Sequence, residues 1–267
     1  MELPEILASD EFETRDLGRM RLVVRRDGAD AIAQALTTAE NCTTIQRGER
    51  GALRSFPWTH DRDGLVRVCH RGGLVSHLLG SHYLFINRPG LEFVAHWWTE
   101  QLGLPVPRLL GVLWERRGPL VSGALATELL KGSDLLGWLQ AHVSSESNGE
   151  RTCMMRSVGL LVRDMHWRGV WHADLQVKNI VVAQGLPHLI DLDRADIGAM
   201  PSVIECSRNL LRFRRSLEKN GLPRDCFEDF MAGYGDLGGT GIPEWLDRLY
   251  QLKGSLSTGI RGRKAGT

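Results

Sequence analysis

The chain has 267 residues, 42% of them apolar and 24% charged, enough for one large domain or two closely packed lobes around a sizeable core. Its formal net charge is +1 and its basic residues are spread over many segments, which gives no reason to expect nucleic acid as a partner. No apolar run approaches the roughly 20 residues of a membrane span, and the N-terminal stretch is acidic rather than basic and then apolar. The cysteines Cys42, Cys69, Cys153, Cys206 and Cys226 are scattered and contain no C-x-x-C pair, so a reducing cytoplasm is expected, without a disulfide framework or zinc site.

In chain order, residues 1–44 mix charge with small side chains, include a short helix around Asp30 to Glu40, and read as an N-terminal extension of the first sheet. A glycine-bearing stretch, Gly48-Glu-Arg-Gly51, precedes a short strand at Leu65 to Val68. Leu91, Val94, Ala95 and Trp98 recur at the spacing of an apolar helix face, and Gly103-Leu-Pro-Val-Pro107 stops that helix. Strands follow at Leu109 to Trp114 and Leu125 to Leu130, then a turn at Lys131 to Asp134 with capping residues ahead of a helix at Leu135 to Leu139. Ser144 to Gly149 reads as a loop. Val158, Leu161, Val162 and Met165 form a second helical stripe that Gly169 closes.

The most informative segment comes next. His172-Ala-Asp-Leu-Gln-Val-Lys-Asn179 is followed by a strand at Ile180 to Val182, a turn at Gly185 to Pro187, and His188-Leu-Ile-Asp191. Phosphoryl transfer needs a carboxylate at the attacking hydroxyl and oxygen ligands for a magnesium ion bridging nucleotide phosphates, because its catalysis is mostly positioning and charge neutralisation. Asp174, Asn179 and Asp191 supply those groups, and a hairpin between Asn179 and Asp191 would fold the two metal ligands toward each other. Each residue taken alone is also an ordinary turn or cap residue; the three in this order and context are what point to chemistry. Asp193 reads either as a second acid at the metal or as part of a solvated turn.

Upstream, Gly48 and Gly51 would let backbone N–H groups approach phosphate, or would simply make a hairpin turn. Arg67 occupies the strand that follows and offers a planar fork to phosphates; Glu92 opens the next helix, either to anchor Arg67 by an ion pair or to complement the helix dipole. Positive charge at Arg71 and from Arg208 to Arg215 would suit an anionic substrate, or a solvated face.

With these residues in view, the stretch from about Gly48 to Leu217 resembles bacterial 3-deoxy-D-manno-octulosonic acid (Kdo) kinases, of the lipopolysaccharide core kinase group. The likeness is carried by Val66-Arg67, Arg71-Gly-Gly-Leu74, Tyr83-Leu-Phe85, Glu92-Phe93, Gly103 to Pro107, Thr127-Glu128, His172 to Asn179, Ile190 to Arg194, and Asn209-Leu through Arg215-Ser-Leu217. The resemblance implies an α+β, protein-kinase-like bilobal fold: a small antiparallel β lobe with one helix over 45–130 and a larger, mainly helical catalytic lobe over 131–267, with ATP between them. It implies transfer from Mg2+–ATP to the 4-hydroxyl of Kdo on a lipid A precursor, with peripheral contact at the cytoplasmic face of the inner membrane. Asp174 would be catalytic; Gly48, Gly51, Arg67, Glu92 and Glu128 would lie at the nucleotide; Asn179 and Asp191 would hold the metal; Arg71, Arg194, Arg212 and Arg215 would meet the acceptor. The sequence departs from the family where its tyrosine-rich R-H-Y-R-R-G-G reads Arg67-Val-Cys-His-Arg-Gly-Gly73 and its aspartate-phenylalanine-aspartate reads Asp191-Leu-Asp193, changes that bear on the acceptor. Ala173 stands where many kinases have the arginine that receives an activation-loop phosphate, so that form of regulation is not expected. The alternatives are a heptose or aminoglycoside-type kinase of the same fold, and a non-catalytic pseudokinase.

Overall fold

The computed structural model describes residues 10–38, 41–48, 51–69, 83–84, 87–142 and 148–235, together with Trp245 and Arg248. The chain divides into two compact units, the first comprising 1–131 and 188–195, the second 132–187 and 196–267.

The first unit is built on an antiparallel sheet of β1 (Phe12–Leu17), β2 (Met20–Arg25), β3 (Thr43–Gly48), β4 (Gly51–Pro57), β5 (Asp63–Val68), β6 (Tyr83–Leu84), β7 (Leu109–Arg117) and β8 (Leu120–Glu128). Their order is β1-β2-β7-β8-β5-β4-β3, with β6 also on β8. Alternation along the central strands sorts their side chains between two faces. Leu22, Val24, Ala124 and Ala126 pack with Val66, Phe56 and Trp58 against Ile32 and Leu36 of helix α1 (Ala29–Thr37). Val23, Val112 and Leu125 pack with Phe12 against Phe93 of helix α2 (Arg88–Gln101). A register shift between Leu109 and Gly111 keeps the hydrophobic side chains of β7 on their proper faces. The segment read as an N-terminal extension is thus, over residues 12–37, part of this layer: β2 pairs with β7, and α1 covers the face opposite α2.

Helix α2 is fixed at both ends. Asn87 caps it by accepting from Gly90 N, and Pro89 sits in its first turn, where no N–H is needed. At the other end, His96 Nε2 donates to Pro107 O at 2.6 Å, Glu100 accepts from Leu109 N at 3.0 Å, and the buried Arg25 bonds both Leu109 O at 2.8 Å and Glu100 at 3.2 Å. These bonds hold the glycine–proline connection to β7 and so set the register of the helix over the sheet.

The second unit contains β9 (Gly132–Asp134), α3 (Leu135–Ala141), α4 (Asn148–Trp167), β10 (Val170–Trp171), a 3-10 turn at Val177–Asn179, β11 (Ile180–Ala183), β13 (Asp196–Ile197), α5 (Val203–Lys219) and α6 (Asp225–Tyr234). Strand β12 (Leu186–Leu189) follows β11 in the order β12-β11-β9. The residues read as a turn before α3 pair in register with β11, and Asp134 caps α3 through Gly137 N. Asn148 and Gly149 belong to α4 rather than to the loop expected there; residues 143–147 lie outside the described residues. A capping box, Ser202 with Glu205, starts α5.

Helices α4 and α6 cross at two glycines. A Cβ on Gly159 would lie 2.1 Å from Phe230 O, and one on Gly233 would lie 2.0 Å from Arg156 O, so backbone meets backbone at both positions. Gly159→Ala should therefore push the helices apart and cost about 1–3 kcal/mol, read as a lower midpoint in chemical denaturation.

Candidate active site

In the first unit, Arg67 near the end of β5 and Glu92 in α2 form an ion pair. Glu92 is only 4% exposed, and burial pushes its carboxyl up to about 7, with Arg67 acting against that rise and Asp191 and Asp193 adding to it. For Arg67, burial works against the charge, but Glu92 and then Asp191 more than offset it and hold the guanidinium protonated. The same guanidinium lies 3.4 Å from Asp191 Oδ1. Cys69, two residues along the strand and on the same side, donates its S–H to Glu92 Oε2 at 3.8 Å, and burial drives its thiol strongly upward.

Asp191 has φ +60° and Arg194 φ +64°, left-handed conformations that side chains other than glycine seldom adopt and that Asp and Asn tolerate best. The turn is held by charge: Arg67 meets Asp191, and Arg88, at the start of α2, meets Asp193 Oδ1 at 3.2 Å. Asp193 therefore has a role in pinning the turn to α2.

In the second unit, the loop from His172 to Asn179 is held by hydrogen bonds at His172, Asp174, Gln176, Val177 and Asn179. Asp174 N donates to His172 Nδ1 at 3.1 Å, and Asn179 Nδ2 donates to Asp174 O at 2.7 Å. The Asp174 carboxylate is gripped on both oxygens, by Gln176 Nε2 at 2.5 Å on Oδ2 and by Arg212 at 3.0 Å on Oδ1. Asn209 Nδ2 donates to His172 O at 2.8 Å, and Ser216 Oγ accepts from Val177 N at 3.3 Å.

A buried chain of polar groups backs this loop. His166 Nε2 meets Asn209 Oδ1 at 3.0 Å and His166 Nδ1 meets Tyr234 OH at 2.8 Å. The amide oxygen can only accept, so His166 is protonated on Nε2 and the tyrosine hydroxyl donates to Nδ1. Burial lowers the His166 pKa to about 4, which keeps the ring neutral in that arrangement.

Among the described residues, no three His, Cys, Asp or Glu side chains gather into a self-contained metal cage. The donors in question are an amide and a carboxylate. Asn179 commits its amide N–H to Asp174 O, which leaves its oxygen as the atom able to accept or to ligate. Such a hard, sparse oxygen set fits magnesium, which is commonly bound by one or two protein groups with substrate phosphates and water completing the shell.

Of the remaining expected residues, Gly48 and Gly51 are register partners across the β3–β4 hairpin, and residues 49–50 lie outside the described residues. Glu128 ends β8, its N–H donating to Arg108 O at 2.8 Å. Arg194 is 62% exposed and 3.8 Å from Asp193, Arg215 is exposed, and Arg71 lies outside the described residues. Arg212, expected at the acceptor, is bonded to Asp174. Gln176, Asn209, Ser216 and Arg88 had no assigned task in the sequence; the signal present for two of them was the i, i+3, i+7 spacing of Asn209, Arg212 and Ser216 on one face of α5.

The fold is that of the protein-kinase-like enzymes: the solved structure titled "WaaP in complex with acyl carrier protein" matches with a TM-score of 0.58 and 19% identity, over 86% of this chain and 98% of that one. The chain belongs to the lipopolysaccharide kinase (Kdo/WaaP) family, whose profile matches residues 39–234. It is 32% identical over 180 residues to the 3-deoxy-D-manno-octulosonic acid kinase of Xylella fastidiosa (strain 9a5c), spanning 66% of this chain and 69% of that protein. With the kinase of the same name from Vibrio vulnificus (strain YJ016) it shares 29% identity over 181 residues, or 63% and 73% of the two chains. It is accordingly an ATP-using phosphotransferase with an alcohol acceptor, of the lipopolysaccharide core kinases. No helix among the described residues is long and apolar enough to cross a membrane.

The buried histidines make stability acid-sensitive. His96 and His166 both have folded pKa values lowered to about 4, chiefly by burial, from an ordinary value near 6.5. A depressed pKa contributes stability that is full above pH 6.5 and is lost as pH falls through 4. Denaturation free energy should drop by on the order of 3 kcal/mol per histidine across that window, and His166→Gln should remove one histidine's share of the slope.

Proposed function

We propose that this chain transfers the γ-phosphoryl group of Mg2+–ATP to the 4-hydroxyl of a Kdo sugar on a lipid A precursor. Nucleotide would bind to the first unit, and the second would be the catalytic one. The observation that carries the reading is the Asp174 carboxylate, fixed on both oxygens in a loop whose Asn179 is tied to the backbone of the same residue. A base held in one rotamer can orient an attacking hydroxyl without paying for that order during reaction.

In this reading Asp174 accepts a hydrogen bond from the sugar hydroxyl and aims its oxygen in line with the γ-phosphorus. As the new P–O bond forms and the bond to the β-phosphate oxygen breaks, the hydroxyl proton passes to Asp174. Asn179 and Asp191 would hold magnesium, which would supply charge neutralisation at the nucleotide phosphates. Arg67, held by Glu92 and Asp191, faces phosphate with a charge that cannot be lost. Gly48 and Gly51, register partners of β3 and β4, would approach the phosphates, and Glu128, at the end of β8, would lie beside the nucleotide. Arg71, Arg194 and Arg215 are assigned to the anionic acceptor. Because that acceptor is lipid-linked, peripheral contact with the cytoplasmic face of the inner membrane belongs to the same reading.

The test is transfer of labelled γ-phosphate to Kdo-bearing lipid A precursor, with a precursor lacking Kdo and with heptose-bearing and aminoglycoside acceptors in parallel. Kdo-dependent labelling is expected; labelling of another acceptor alone would reassign the substrate, and nucleotide binding with no transfer would indicate a non-catalytic role. Asp174→Asn should lower kcat by at least about 100-fold with ATP affinity nearly unchanged. Asp191→Asn should instead raise the magnesium concentration needed for half-maximal rate, measured by titrating the metal at fixed ATP.

A further inference from the structure

Helix α5 and the catalytic loop run alongside each other in matched steps. Asn209 bonds His172, Arg212 bonds Asp174, and Ser216 bonds Val177, contacts separated in sequence by 37, 38 and 39 residues. The three helix residues fall at i, i+3 and i+7, one stripe of the helix. Asn209 and Ser216 are buried, at 0% and 7% exposure, and both bond loop backbone. Arg212 lies between them and bonds a loop side chain instead, the Asp174 carboxylate. This stripe works as a template against which the loop is laid.

The loop has little charge of its own to offer that carboxylate. Residue 176, whose side chain reaches Asp174 Oδ2, is a neutral glutamine, residue 173 is alanine, and the loop's one lysine, Lys178, is exposed. The cation on Asp174 is delivered from α5.

We propose that Arg212 is the positioning residue of the transfer reaction: from α5 it clamps Asp174 Oδ1 and supplies the positive charge that the catalytic loop lacks. This rests on Asp174 being the residue that orients the acceptor hydroxyl. With Gln176 on the other oxygen, the two bonds fix the rotation of the carboxylate, leaving its direction toward the hydroxyl set before substrate arrives. Charge-assisted bonds from arginine are stronger than neutral ones, and misplacing a reacting group by about 1 Å can cost on the order of 100-fold in rate. Arg212 is thereby withdrawn from the arginines assigned to the acceptor.

The geometry offers a rescue that a merely structural residue would not permit. Gln176 Nε2 already lies 2.5 Å from Asp174 Oδ2, so a lysine at position 176 would bring an ammonium to the same carboxylate from the loop side. In the γ-phosphate transfer assay, with wild type and D174N as bounds, R212M should lower kcat on the order of 100-fold while KM for ATP and for acceptor each move by less than about threefold. R212K should recover part of the loss. Adding Q176K to R212M should restore at least about tenfold of it, with one relocated ammonium replacing a guanidinium.

Unchanged kcat in R212M overturns the proposal, as does a loss confined to KM for the acceptor, which would make Arg212 a substrate contact. Failure of Q176K to rescue a well-folded R212M, judged by its melting temperature, also overturns it. Should R212M melt too low to assay, R212Q, which keeps a donor and drops the charge, takes its place with the same criteria. If D174N itself retains wild-type kcat, it is the assignment of Asp174 that fails, an outcome visible apart from any result at Arg212.

Discussion

The first unit is organised by the need to satisfy one buried carboxylate. Glu92 lies in α2 with 4% of its surface exposed, flanked by further acids at Asp191 and Asp193, a position in which an unpaired charge would be costly. Arg67 answers it from β5, and the requirement fixes three separate pieces of chain relative to one another: the strand, the helix and the Asp191 turn. The helix anchors at Asn87, His96 and Glu100 follow from the same demand, since a rotation of α2 by one residue would carry Glu92 about 100° away from its partner.

The second unit surrounds its loop-to-helix charge pair, Asp174 with Arg212, with neutral polar groups. The loop carrying Asp174 buries Leu175 and Val177, and its backbone is also bonded to α5 through Asn209 and Ser216, with Asn209 in turn oriented by His166, which bonds Tyr234. Each member has its donor or acceptor role dictated by the next. Burial lowers the His166 pKa to about 4, so at neutral pH the ring donates to Asn209 and accepts from Tyr234. The close crossing of α4 and α6 at Gly159 and Gly233 belongs to the same arrangement, because His166 and Tyr234 sit on those two helices.

What could be read from the sequence was what lies close together along it. The segment from His172 to Asn179 and the strand–turn–strand leading to Asp191 are local, and the residue types at their fixed spacing announce phosphoryl transfer. The pairing of Arg67 with Glu92, 25 residues apart, stood level with a helix-dipole explanation until burial decided it. The work of Arg212 was not legible. An arginine on a charged helix suits an acceptor, a solvent face or a partner equally, and only the packing of α5 against a loop some 38 residues earlier singles out Asp174. The N-terminal strands were missed for a related reason: β2 acquires its place as a neighbour of β7, more than 80 residues away, and short alternating segments carry no mark of which strand they will pair with.

One cation at position 67 meets two carboxylates. Glu92 is bonded closely and Asp191 Oδ1 stands 3.4 Å away, both at the same terminal nitrogen, Nη2. A guanidinium keeps its charge when buried, where an ammonium readily loses it. The Asp191 backbone, in a conformation with φ +60°, needs tertiary contacts to hold it, and the same guanidinium nitrogen that satisfies the buried Glu92 is one of them. Arg88 on Asp193 repeats the device two residues on, so that both acids of the Asp191-Leu-Asp193 turn are secured by arginines of the same unit. Between the two acids Leu192 is fully buried, so the turn is held by apolar packing at its centre and by charge on either side, and the departure of the central residue from phenylalanine to leucine leaves the two arginine contacts intact.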